Sequence, residues 1–417
     1  MIKIDQAISS RWMITMNGKS LIEDHSIAID GNTIREILPT KDLLRTYEVT
    51  NHINLKEQIV LPGLINNQIH SPIALGKENK YQLKRISQKE YSNIVIKYMI
   101  AEMLKNGITT FSDVGLSPDI TIEQVNQTGI RANIGLPIFK YKSFWAKDEK
   151  IYLSKSLAIY DEFKNDPNVN LSIHLDSIAK LSKDTILKVS EIANELDIPI
   201  RMSLNESQKE VDKCKSKYKL RPLQYLQKIG ILSNTFSGMN MAIFSNIDLN
   251  IIKKHKANVI NCPNAHLKSY LGICETKKLM ENNINISLGT GDSHLNHDID
   301  MLDEIKITGL LSKLDKVKKN DIKSSDLLKL ITINSAKSFG LDHKIGKLEV
   351  GQLADIISIK VDIHKYKEGL NTNTLNNHLK STNITNVWIS GKHIVKNKKL
   401  LTINEKLLYD KLVKLRK

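Results

Sequence analysis

From residue 58 to residue 344 the chain alternates about eight times between short β-rich runs and longer stretches with helical spacing. The β-rich runs begin with IVLPGLINNQIH and continue through ITTFSDVG, IRANIGLPI, VNLSIHLD, IPIRMSLNES, TFSGMNMAIF, ANVINCPNAHLK and INISLGTGDSH. Between them lie helical segments such as SNIVIKYMIAEMLKNG, which stops at Gly107, and the amphipathic TILKVSEIANELD. Strands that alternate with helices pair in parallel, because a crossover helix returns the chain to the same end of the sheet. Eight such units predict a (β/α)8 barrel. An open doubly wound sheet is the alternative, but no G-x-G-x-x-G follows a first strand, so dinucleotide binding has little support.

The two ends follow another pattern. Residues 1–57 carry WMITMNGKSLI and SIAIDGNTIREIL, with turn signals at Asn17-Gly18 and Asp30-Gly31. IGKLEVGQLADIISIKVD and ITNVWISGKHIVKNKKLL are β-rich again, near the other end. The N-terminal piece is too short to form a core alone. The expectation is one small β-sandwich built from residues 1–57 and 345–402, a barrel over 58–344, and a final helix over 403–417.

Composition narrows the partners. The 417 residues hold 61 Lys and Arg against 45 Asp and Glu, a net charge of +16. That excess is spread along the chain, and only 5% of residues are aromatic, whereas nucleic-acid surfaces cluster cations and interleave stacking rings. No nucleic-acid partner is expected. Three cysteines without a CxxC pair argue against disulfides or structural zinc and for a reducing compartment. No window approaches eighteen uninterrupted apolar residues, so a cytoplasmic location without membrane contact is expected. A homodimer is compatible with all of this.

The chemistry should gather where the barrel strands end. Gln68 and His70 close the first strand two residues apart, so their side chains point the same way. Here LPGLINNQIH resembles the first barrel strand of the amidohydrolase superfamily, P-G-x-I/V-(D/N)-x-H-x-H. GKLEVGQLADIISI is similar to that family's G-x-L-x-x-G-x-x-A-D element. The resemblance spans nearly the whole chain and is closest to the deaminase and chlorohydrolase branch, including methylthioadenosine/S-adenosylhomocysteine deaminases. It implies one divalent metal held by two histidines after strand one, a histidine after strand five and an aspartate after strand eight. It also implies a glutamate proton shuttle after strand five and a histidine after strand six.

Carried over by position, that set is depleted. The strand-one pair reads Gln68 and His70, and the strand-five H-x-x-E reads Ser203-Leu204-Asn205-Glu206. The strand-six histidine becomes Met239. The strand-eight Gly-Thr-Asp reads Gly289-Thr290-Gly291-Asp292, placing the aspartate one residue late, which on a regular strand turns it to the opposite face. An amide and a hydroxyl are poor zinc ligands. The expectation is therefore no cofactor, with a single divalent metal as the less favoured option. Glu206, His70 and Asp292 are the catalytic candidates. The resemblance adds His174, Gln68, Ser203, Arg131, His266 and His294 as substrate contacts, with His297 following His294. Each histidine also has a plain structural role open to it, Cys262 suits a small buried hydrophobe, and Lys268 suits scaffold. Three functions remain open: metal-free acid–base chemistry on a small heterocyclic or nucleoside-like substrate, an inactive ligand- or partner-binding protein, and a hydrolytic deaminase with a rebuilt metal site.

Overall fold

Pro62-Gly63 is a corner between two sheets. The computed structural model describes residues 1–18, 21–70, 87–178, 180–292, 299–314, 321–362, 375 and 379–416. Before the corner run β1 (Ile2–Met13), β2 (Ile22–Asp30), β3 (Thr33–Pro39), β4 (Tyr47–Asn54) and β5 (Gln58–Pro62). After it come β6 (Leu64–His70), β7 (Ile108–Asp113), β8 (Arg131–Ile138), β9 (Val169–Leu175) and β10 (Ile200–Ser203). The barrel continues with β11 (Ser237–Met239), β12 (Asn258–Asn261), β13 (Ile286–Leu288) and β14 (Gly291–Asp292). Near the C-terminus lie β15 (Ile356–Lys360), β16 (Ile384–Ile389), β17 (Lys392–Lys396) and β18 (Lys399–Leu400). IVLPGLINNQIH is thus two strands rather than one. Its first half stays with the terminal sheet, and only the second enters the barrel.

The terminal sheet runs β18-β17-β16-β15-β5-β1-β2-β3, with β4 added beside β1. The joint between the chain ends is the antiparallel pairing of β15 with β5, in register from Ile356 opposite Pro62 to Lys360 opposite Gln58. Ile8, Ile27, Ile29 and Ile34 from the first part pack with Val60, Ile356 and Trp388 in one buried core. Both termini therefore build a single small β-sandwich. Residues 405–416 form the final helix, packed on the helix Gln88–Lys105.

The barrel order is β13-β12-β11-β10-β9-β8-β7-β6-β14, all parallel. Every residue of β8 is buried, as expected of a parallel strand covered on both faces. The eighth strand is broken at Gly289-Thr290: β13 pairs with β12, and β14 pairs with β6. Two asparagines of β6 stitch this seam. Asn66 Nδ2 donates to Thr290 Oγ1 at 2.8 Å while its Oδ1 accepts from Thr290 N at 3.1 Å, and Asn67 Nδ2 donates to Ser287 Oγ at 2.6 Å. Polar residues inside a strand are thereby satisfied by the strand that closes the ring. An added Cβ at Gly289 would lie 2.5 Å from Gln68 N, so the approach of these strands depends on glycine. Among the described residues no helix is long and apolar enough to cross a membrane.

Candidate functional site

A cavity of about 360 Å³ opens at the C-terminal ends of the barrel strands. His70 from β6, His174 from β9, Ser203 from β10, and Glu206, His266 and Asp292 from the following segments all line it. A larger hollow of about 710 Å³ sits at the N-terminal strand ends, with Lys253, Lys256 and Lys337 in its wall, and holds none of the predicted site residues. The site geometry therefore singles out the smaller cavity.

Asp292 faces the cavity despite its shifted position. Gly291 before it has φ +72°, in the left-handed region, so the chain turns there instead of alternating like a regular strand. His266 arrives on the short helix Pro263–Lys268 rather than on a strand end. Gln68 lies beneath the floor, fully buried, with its Nε2 donating to Asn240 Oδ1 at 2.9 Å.

Arg131, expected as a substrate contact, is not among the residues that line the cavity. It stands at the start of β8, the far end of the barrel from the cavity, buried and ion-paired with Asp355, and it donates to Ser390 Oγ at 2.7 Å. Asp355 and Ser390 belong to the terminal segments, while Thr110 Oγ1 of β7 accepts from the same guanidinium at 3.5 Å, so Arg131 fastens the sandwich to the barrel. Met239 is fully buried with Val114 and Ile260, an apolar plug inside the barrel. Cys262 is buried too, and burial pushes its thiol well above the usual range, against a role as nucleophile. His294 and His297 lie outside the described residues.

Burial dominates the electrostatics. It raises the pKa of Glu206, where Lys180 pulls the other way and Asp176 and Asp292 add repulsion. Four residues on, burial holds Glu210 up at about 7; the Glu206 amide donates to its Oε2 at 2.9 Å and partly offsets this. His174 is pushed down to about 3, first by burial and then by His70 and Arg201, and burial alone takes His266 to about 4. The two imidazoles are thus neutral near pH 7, while Glu206 and Glu210 hold protons more tightly than exposed carboxyls do. Such a set can donate and accept protons beside a bound ring.

Several lining residues escaped the sequence. Phe139 and Tyr141, just after β8, stack with centroids 5.2 Å apart, and Phe139 meets His174 edge-on at 5.2 Å. The only available signal was their place after a strand end, in IFKYKSFW. Glu210 repeats Glu206 at helical spacing, and Asn240 sits one residue beyond the missing histidine.

Fold and site together define a (β/α)8 barrel protein with an acidic, histidine-bearing cavity at its C-terminal face. The amidohydrolase family profile matches residues 59–394, and the chain belongs to that family. It is 29% identical to a 5-methylthioadenosine/S-adenosylhomocysteine deaminase of Saccharophagus degradans, over 98% of this chain and 95% of that protein. A 5'-deoxyadenosine deaminase of Methanobrevibacter smithii is 26% identical over 95% of this chain and 92% of its own length. Among solved structures, an adenosine deaminase from Xanthomonas campestris with bound zinc superposes with a TM-score of 0.92 at 22% identity, covering 100% of this chain and 98% of its own. An atrazine chlorohydrolase from Arthrobacter aurescens complexed with zinc gives 0.86 at 19%, covering 98% and 99%.

Zinc in these neighbours lends no support to the expectation of a metal-free site; the donors in this chain pull the other way. A catalytic zinc site takes three protein ligands plus water. Of the positions that the resemblance assigns, His70 is the one strong donor. Gln68 and Ser203 are both engaged with Asn240. Gly291 has no side chain, and a Cβ on it would lie 2.9 Å from Ala265 Cβ. Among the described residues no group of three or more His, Cys, Asp or Glu side chains is placed to hold a metal ion. The residues present do not fit the family's centre.

Proposed function

We propose that this amidohydrolase-family protein binds a small nitrogen heterocycle or nucleoside-like molecule in the cavity at the barrel's C-terminal face. There it transforms that molecule by acid–base chemistry, with Glu206 as the proton-transferring group, without the metal centre of its relatives. The observation that carries this is the split fate of the inherited positions. The shuttle glutamate is retained, half-buried in the cavity wall with a raised pKa, while the ligand positions are replaced by an amide, a hydroxyl and a glycine. A half-buried carboxyl that holds its proton more tightly than an exposed one is suited to protonate a ring nitrogen and to recover the proton from an adjacent carbon or oxygen. Isomerisation, elimination, or hydration of an already activated carbon are reactions of this kind. His70 and Asp292 complete the reacting set, and His174, His266 and Ser203 contact the ligand. The substrate class comes from the relatives, whose names are those of nucleoside and deoxynucleoside deaminases.

A second reading is favoured by the zinc-bearing neighbours: a hydrolytic deaminase whose metal is held by His70, Asp292 and a further histidine. Metal analysis separates the two. Protein purified without chelators should contain far less than one equivalent of zinc or iron, and chelation should change neither its thermal midpoint nor its turnover on a panel of purines, nucleosides and pyrimidines. One tightly bound equivalent, with turnover lost on chelation, would establish the hydrolase instead.

A further inference from the structure

Three of the positions tied by resemblance to metal binding, Gln68, His70 and Ser203, are joined in this chain through one side chain. Asn240 follows β11 with φ +57°, a left-handed conformation that asparagine tolerates better than most residues. Its Oδ1 accepts from Gln68 Nε2 at 2.9 Å, and its Nδ2 donates to Ser203 Oγ at 3.4 Å. Gln68 Nε2 also lies 3.4 Å from His70 Nε2. The surrounding backbone locks this arrangement. Leu204 N donates to Met239 O at 3.1 Å, and Ala242 N and Ile243 N both donate to Asn205 O, at 3.1 and 2.9 Å. The ends of β6, β10 and β11 therefore meet at one carboxamide.

We propose that Asn240 is a positioning residue standing in for the metal as the hub of this site. A metal joins its ligands by accepting lone pairs from all of them; an amide joins its neighbours by direction, donating to one and accepting from another. The direction propagates. An amide nitrogen such as Gln68 Nε2 carries two hydrogens and no lone pair available to accept, so His70 Nε2 is the acceptor of their contact. Asn240 thus turns Gln68 so that its second hydrogen meets His70, which places the proton of the neutral His70 ring on Nδ1. At the other end Ser203 Oγ accepts from Asn240, leaving its own hydrogen to be donated from a hydroxyl that lines the cavity. The floor beside Glu206 therefore offers a hydrogen-bond donor where a zinc site offers a Lewis acid. A ligand that presents a ring nitrogen or carbonyl oxygen to Ser203 fits that floor.

This inference rests on the metal-free reading, and nitrogen-15 spectra of the histidine side chains test the two separately. His70 signals are assigned by their loss in His70→Gln. In the parent protein His70 should populate predominantly the Nδ1–H tautomer. Both Asn240→Gly, which removes the hub and suits the positive φ, and Gln68→Met, which removes the bridging amide, should convert it to a mixture of tautomers while the remaining histidines keep their signals. A folded variant of either kind that leaves the His70 tautomer unchanged overturns the hub. One equivalent of zinc should leave the parent's His70 signals in place; if they move stoichiometrically, the metal-free reading fails, whatever the variants do.

Discussion

Glu206 sits where burial and two nearby carboxylates make its proton hard to remove, and where Lys180 limits the effect. A carboxyl in that setting holds its proton more tightly than an exposed one and is better placed to give it up and take it back during a reaction. Glu206→Gln keeps the shape and the hydrogen-bonding capacity but cannot cycle a proton. Turnover of any converted heterocycle should fall by about 10²–10⁴-fold, while the ligand-induced thermal shift persists; a variant that turns over normally removes Glu206 from the chemistry. This residue was legible in the sequence because a carboxylate at a barrel-strand mouth has little packing value. Asn240 was not, because the eye stops at the missing histidine one position earlier. Phe139 and Tyr141 left no periodic trace, since loop residues carry none. Arg131 was misplaced for a different reason: a charged residue at the edge of a predicted strand does not say which end of the barrel it occupies.

At the scale of elements, the long strands β7, β8 and β9 follow their apolar runs closely, whereas β11 and β13 shrink to three residues each and the eighth strand breaks. The break was hidden because it depends on a left-handed glycine and on side chains of β6, some 220 residues away in sequence. It sets a testable constraint. Gly291→Ala must adopt φ near +72° and push against Ala265, so it should cost about 1–2 kcal/mol in denaturant unfolding. An unchanged midpoint would show that the turn can relax. Restoring the family aspartate at this position meets the same obstacle. Glu304, on the helix Met301–Leu311, ties that helix to the one following β12, accepting from Asn264 N at 3.2 Å and Asn264 Nδ2 at 3.1 Å. Burial lifts its pKa to about 8 from an ordinary 4.5. The folded state therefore holds this proton more tightly than the unfolded chain does. The stabilisation is complete below pH about 4.5 and is lost as pH rises toward about 8. Glu304→Gln should flatten stability against pH across that window, read by urea midpoints; an undiminished slope assigns it to other groups, Glu210 first.

Across the whole molecule, the chain ends are bound to the barrel by more than the sheet they share. Arg131 and Asp355 form an ion pair only 4% and 3% exposed, Asp355 Oδ1 accepts from Ser390 N at 2.8 Å, and Gly63 N at the corner donates to Asp355 O at 2.9 Å. One aspartate thus holds the entry to the barrel, the start of β8 and the turn after β16. The apolar core is equally shared: Trp12, Ile59, Ile357 and Val387 of the sandwich lie in the same buried cluster as the barrel strands. Two parts with a common core and a common buried charge pair should unfold together. Asp355→Ala leaves the Arg131 guanidinium buried without its carboxylate, which costs about 3–5 kcal/mol. The chain's three tryptophans make the outcome readable, because Trp12 and Trp388 lie in the sandwich and Trp145 lies beyond β8 in the barrel part. In the parent, tryptophan fluorescence and far-ultraviolet circular dichroism should trace one transition in denaturant, and Asp355→Ala should move both to lower concentration by the same amount. If instead the variant's tryptophan signal from Trp12 and Trp388 changes first, isolated by Trp145→Phe, while helical dichroism holds to the parent's midpoint, then the sandwich is an independent unit. The buried ion pair would then position the termini without coupling their stability to that of the barrel.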